Sequence, residues 1–260
     1  MEDDIISTDG YLTLRSPNIE YVKTDWIQQG RNSFKWRGSI WTVKANKVWI
    51  TGHSDAPVNA KLYNRYKSKS QQWFTVNKDH VASNLFALPL GVTNDTAESC
   101  LHVIYGNRSI LRDVMRSERL VTGTVYVNFK VSTFPAERSG CMKYFKDQPW
   151  VTLGSPVDTL EGRSEFLKQC KSHEFVVCPR GNGIDTHRLW ETLYVGSTPI
   201  VKRHVALAEF EDLPIWFVND WHDVTEASVN EQTAMLAAKP RNLEKLSLKY
   251  WKDRISSAAI

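Results

Sequence analysis

Cysteine is scarce in this chain: four residues in 260, at positions 100, 141, 170 and 178. So few thiols exclude a disulfide-stapled scaffold. Long hydrophobic runs are lacking as well. Stretches such as Phe175-Val176-Val177-Cys178 fall far short of the ~20 apolar residues of a membrane helix, so no membrane span is expected. The N-terminus reads Met-Glu-Asp-Asp, acidic where a secretory leader would be basic, and the expected location is cytoplasmic. Charge is nearly balanced, 33 Lys+Arg against 29 Asp+Glu for a net +4, too weak a bias to mark a nucleic-acid binder by itself. No Asp-x-Asp occurs anywhere, which removes the usual carboxylate pair of a metal-dependent sugar transferase. Internal repeats and low-complexity tracts are also missing.

What is present is a globular composition with 42% hydrophobic residues, enough for a sizeable core. The length exceeds the common domain size of roughly 100–200 residues, leaving one large or two compact domains open. Ten tryptophans are notable. Indole rings can stack on sugars, although most of them fill cores. The one basic stretch, 61–69, interleaves Tyr63 and Tyr66 among lysines and an arginine. A solvated helix face with both tyrosines turned inward is the preferred reading over a nucleic-acid surface, and no nucleic-acid partner is expected.

Hydrophobic periodicity divides the chain into two alternating series. Residues 1–35 read as polar and irregular, apart from a short helix near 23–29. Strands follow at 47–51 and 72–77, with helices at 57–67 and 109–120. The pattern restarts with strands at 124–129, 150–153, 173–178, 199–201 and 213–218, separated by helices at 136–147, 163–171 and 186–195. Two β-α-β series predict an α/β protein of two Rossmann-like domains, 1–119 and 120–260. A final helix at 243–254 puts Leu243, Leu246 and Tyr250 on one face and should dock.

The most informative segment is 175–201, a buried strand, a glycine-rich loop and a helix. Ligands of open α/β sheets bind at the carboxyl ends of strands, and a helix N-terminus there attracts phosphate. Gly181 and Gly183 let the backbone come close on either side of Asn182, a further donor-binding candidate. Arg180 and Arg188 can neutralise an anion, and Asp185 or Thr186 can cap the helix. Helical spacing places His187, Arg188, Glu191 and Thr192 on one side, with Leu189, Trp190 and Leu193 opposite. Glu191 can then accept bonds from ribose hydroxyls, or form an ordinary surface pair with Arg188. Neither the dinucleotide fingerprint nor the P-loop is matched, because position 186 is Thr and no Gly-Lys-Ser/Thr follows.

Cys178-Pro179-Arg180-Gly181, followed by Arg188, Glu191, Gly196 and Pro199-Ile200-Val201, resembles the signature of the exostosin-like glycosyltransferases, family 47. The run Asn182-Gly-Ile-Asp-Thr-His-Arg188 is similar to the ribitol-xylosyltransferase branch, and the Asp220-Trp221 pair after the last strand resembles that family too. Short members of this kind are encoded by large algal viruses. The resemblance is strong over 173–224, fair back to 124 and thin before that. It implies a GT-B-type fold: two Rossmann-like domains facing a cleft, the C-terminal one holding the donor. It also implies inverting sugar transfer from a nucleotide diphosphate, with UDP-xylose the expected donor and an oligosaccharide or glycoprotein acceptor. By the same comparison Arg180 and Arg188 lie near the diphosphate, Glu191 contacts the ribose and Ser155, in Gly154-Ser155-Pro156, meets the nucleobase. Arg138 is a further diphosphate candidate. A viral member would act in the host-cell cytoplasm.

Inverting transfer needs a base for the acceptor proton and charge stabilisation for the leaving diphosphate. Arginines and a helix N-terminus can supply the second, so no metal is expected. Cys170, His173 and Cys178 lack a fourth zinc ligand. For the base, Gly52-His53-Ser54-Asp55 ends a predicted strand, making Asp55 and His53 the first pair, with Asp79 and His80 second. The alternative function is a non-catalytic nucleotide- or glycan-binding module of the same fold.

Overall fold

The computed structural model describes residues 4–31, 33–36, 39–45, 47–95, 100–238 and 242–260. Two parallel sheets organise it. The first contains the strands Ile19–Lys23, Lys47–Gly52, Ser70–Thr75 and Leu85–Ala87, side by side in chain order. The central strands read as apolar runs because both faces are covered. Ile19–Lys23 was hidden within the segment read as irregular. Glu20 interrupts its hydrophobic pattern, yet the residue is buried. Burial raises the Glu20 carboxyl, and Arg15 at 3.6 Å offsets part of that cost.

Tryptophan fills this layer rather than presenting itself to sugars. Trp49 and Trp73 meet edge-to-face at 5.2 Å, and the Trp73 indole N–H donates to the Thr51 hydroxyl at 2.8 Å. Tyr66, on the helix Ala60–Tyr66, packs against Trp49, and Tyr63 stacks on Trp73. The basic stretch therefore turns its tyrosines inward.

The second sheet has the spatial order Val151–Leu153, Gly123–Val127, His173–Val177, Thr198–Lys202 and Trp216–Val218, all parallel. Strand order reverses between Gly123–Val127 and His173–Val177. Chains leaving those strands part to opposite sides, which opens a crevice at their carboxyl ends.

The C-terminal helix spans Leu248–Ser257, with Ser247 as its N-cap accepting from the Tyr250 N–H. It buries Trp251 and Ile255, while Leu246 belongs to a separate turn, Glu244–Leu246. Leu243, Leu246 and Tyr250 pack against the core as expected, but Trp251 and Ile255 form the most buried face because the cap at Ser247 resets the phase of the helix. This helix returns to the N-terminal half. Asp4 accepts from the Leu248 and Lys249 N–H groups, and the Arg254 guanidinium lies over Phe74 and Phe86. The result is the expected α/β architecture, built on two parallel sheets. One hydrophobic core runs from the first sheet into residues such as Leu167, Val176 and Trp190. The two halves thus share packing across the expected boundary.

Candidate active site

A cleft of about 650 Å³ lies where the carboxyl ends of both sheets face each other. Its N-terminal wall carries Lys23, His53, Asp55 and Leu90, each just beyond or at a strand end. Its C-terminal wall carries Asn128, Arg138, the loop Gly181–Asn182–Gly183, and His187, Arg188 and Glu191 of the helix His187–Tyr194. Of the residues expected from sequence, Asp55, His53, Arg138, Gly181, Asn182, Gly183, Arg188 and Glu191 all line this space. Ser155 lies instead in an adjoining pocket of about 280 Å³, which shares Asn128, Val157, Gly162 and Phe166 with the cleft.

Arg180 is not among the lining residues. Its guanidinium sits 4.4 Å from the Phe134 ring centroid and donates to the Asn182 carbonyl at 3.3 Å, so it braces the loop. Arg138 is buried and also largely committed to backbone. Its Nε donates to the Arg180 carbonyl at 2.8 Å and its Nη1 to that of Lys130 at 2.9 Å, tying together the two chain segments at the crevice. Burial, reinforced by the charge of Arg188, lowers the Arg138 guanidinium to about 10.

Arg188 differs. Among the described residues its guanidinium has neither a hydrogen-bonded nor an ion-paired partner, and its Nε is buried and unsatisfied. Phe166 and Phe129 lie 5.6 and 6.0 Å away. Beside it is the start of the helix. Thr186 is the N-cap but makes no side-chain cap bond; the Leu189 N–H donates to the Thr186 carbonyl at 3.1 Å, leaving the His187 and Arg188 N–H groups without a partner among the described residues. Asp185 does not cap either; its carboxylate turns inward. Two cations side by side and an uncapped helix N-terminus form an anion site with a surplus of donors.

Glu191 is less free than its helical position implied. Its Oε1 accepts from Arg163 at 2.7 Å, with both side chains buried. Burial pushes the Glu191 carboxyl up, but the Arg163 charge and hydrogen bond more than reverse this and hold it below the ordinary range. Only Oε2 is left without a hydrogen-bond partner among the described residues. Arg163 escaped the sequence reading, although its spacing to buried Leu167 and Cys170 was a signal of a buried charge.

The proposed base loop is strained. His53 (φ 49°) and Asn77 (φ 58°) are the two non-glycine positive-φ residues described, and both follow neighbouring strands at the cleft. Such backbone costs of order 1–3 kcal/mol and persists only where contacts over-determine it. His53 is gripped on both ring nitrogens, Nδ1 by the Tyr21 hydroxyl and Nε2 by Asp9 at 2.6 Å. Neither nitrogen is left for an acceptor. Asp9 had no sequence signal, lying in the segment read as irregular. Asp55 is exposed at the rim, without a side-chain hydrogen bond among the described residues. The second pair does not line the cleft: Asp79 faces His204 at 3.4 Å, and His80 packs on Tyr63.

Asn77 bolts the walls together. Its side-chain oxygen accepts from the Ile184 and Asp185 N–H groups at 2.8 and 2.9 Å, while its amide donates to the Ser54 carbonyl. Asp185 adds a second bolt, accepting from Leu90 N–H, Thr186 N–H and the Trp190 indole. Burial outweighs these donors and raises its carboxyl to about 7. A folded-state value above the unfolded one is a contribution present at low pH and lost as pH climbs through about 7. Asp185→Asn should therefore gain Tm relative to wild type as pH rises from about 4 to 7, then level off. A parallel pH series for both proteins would refute this assignment.

No family model matches the chain, and no curated protein matches it. Among solved structures it is similar to an α1,3-fucosyltransferase, at 12% identity over 94% of this chain and 90% of that one, with a TM-score of 0.46. It is also similar to the GtfA/B complex, at 12% identity over 88% of this chain and 61% of that one, with a TM-score of 0.27. No described helix is long and apolar enough to cross a membrane.

Proposed function

We propose that this chain is a glycosyltransferase of the exostosin-like kind, moving a sugar from a nucleotide diphosphate to a glycan hydroxyl with inversion. The observation that carries the reading is Arg188, an unpartnered guanidinium beside an uncapped helix N-terminus at the reversal point of a parallel sheet. A diphosphate placed there satisfies the orphaned donors and relieves the repulsion between Arg188 and Arg138. Both effects grow as the sugar–phosphate bond breaks and charge develops on the leaving oxygen, which is what transition-state stabilisation requires.

The nucleoside would extend toward the adjoining pocket, its ribose near Glu191 Oε2 and its base near Ser155. UDP-xylose is the proposed donor and no metal is required. On the opposite wall Asp55 offers a free carboxylate to the acceptor hydroxyl, while His53, locked by Tyr21 and Asp9, sets the shape of that loop. The proposed site of action is the cytoplasm, with an oligosaccharide or glycoprotein acceptor.

A donor panel of UDP-xylose, UDP-glucuronate, UDP-galactose and a GDP-sugar, scored by nucleotide release with and without EDTA, tests this. Release from UDP-xylose unaffected by EDTA is expected, and Asp55→Asn should lower turnover about tenfold by weakening one acceptor hydrogen bond. Binding without release from any donor would instead leave a nucleotide-sugar-binding module.

A further inference from the structure

We infer that His187 is the general base of the transfer proposed above, receiving the acceptor proton on Nε2. The assignment rests on that reading and on geometry. The His187 Nδ1 donates to the Gly91 carbonyl at 2.7 Å, which fixes the proton on Nδ1 and leaves the lone pair on Nε2. That carbonyl is itself immobile. Gly91 has φ +68°, bridges to Ser7, and is packed so tightly that a Cβ would come within 2.2 Å of the Ile6 carbonyl oxygen. The imidazole lines the cleft, and Nε2 has no partner among the described residues.

His187 also stands one residue from Arg188, so the base and the cation that receives the leaving group share a helix start. In the step itself, the acceptor oxygen bonds to the anomeric carbon as its proton passes to Nε2. The bond from that carbon to the diphosphate oxygen breaks, and its electron pair stays on the diphosphate beside Arg188. The imidazolium that forms faces two carboxylates, Glu191 one turn along the helix and Asp55 on the opposite wall. Arg163 opposes it. Before reaction burial is the largest influence, and it keeps the imidazole below the ordinary histidine value and hence neutral near pH 7. His53, by contrast, has both nitrogens engaged.

The test uses the full chain and whichever donor the wild type turns over in the panel above, with water as acceptor. His187→Asn keeps an N–H aimed at the Gly91 carbonyl but has no basic nitrogen. It should bind UDP as the wild type does by calorimetry, while kcat falls about 10²–10⁴-fold. The wild-type kcat should drop on the acid side with a midpoint below about 6.5, and that limb should vanish in His187→Asn. Added imidazole should restore part of the activity of His187→Ala, which a purely structural role would not permit. Wild-type kcat in His187→Asn, or an unchanged acid limb, overturns the role of His187 alone. Absence of turnover by the wild type overturns the transferase reading and this inference with it.

Discussion

Arg163→Ala should destabilise the protein by about 3–5 kcal/mol, the cost of stripping one partner from a buried ion pair. Arg163 and Glu191 retain 1% and 5% side-chain exposure and meet at 2.7 Å. Removing the guanidinium leaves a largely buried carboxylate without its hydrogen-bonded counter-charge, with the weaker pull of Arg188 nearby. Glu191 would then shift from below its ordinary range to above it. In the wild type its lowered value contributes stability above the unfolded carboxyl value, lost as pH falls through the folded one. The variant should reverse that trend, so its deficit against wild type shrinks between pH 7 and 5. Replacing both residues by methionine should recover most of the loss, since the expense lies in the unpaired charge. Denaturant melts of the wild type and both variants at the two pH values check this. A deficit under about 1 kcal/mol would mean that the pair is not buried as described.

Arg188→Ala should have the opposite profile: little effect on stability and a large effect on ligand. Its guanidinium makes no hydrogen bond or ion pair in the described structure, so folding loses ring contacts and a Coulombic attraction to Glu191, and sheds repulsion with Arg138. Affinity for UDP should fall about 10–100-fold, the worth of one or two charge-assisted bonds. Arg188→Lys should fall between, keeping the charge but not the fork. Arg180→Ala should change affinity far less, because that guanidinium braces its own loop against Phe134. Equal losses at 180 and 188 would show that the loop rearranges when a nucleotide enters. Calorimetry with UDP, paired with melts, separates these outcomes.

Much of the site was legible one residue at a time, because the signals were local. A buried run ending in Cys178-Pro179-Arg180-Gly181 places a loop at a strand's carboxyl end whatever surrounds it. Helical phase alone put His187, Arg188 and Glu191 on one side. What escaped was whatever depended on a distant segment. Glu191 looked available until Arg163 arrived from the preceding helix. His53 looked like a base until Asp9 and Tyr21, 44 and 32 residues away in sequence, closed on its two nitrogens. The strand Ile19–Lys23 was missed because Glu20 breaks the apolar pattern, and only a tertiary partner makes such a residue tolerable in a core.

The amino-acid sequence by itself determined the layered α/β alternation, the inward-facing tyrosines of 61–69 and the anion-attracting helix start at 187. Each follows from periodicity or local backbone geometry. Only the tertiary structure decided which charges are spent and which are free. Arg138, Arg163 and Arg180 are the same residue type as Arg188, yet three are used to hold the fold. Desolvation explains the division: a buried guanidinium is tolerated where its own chain supplies acceptors, and among the described residues Arg188 finds none.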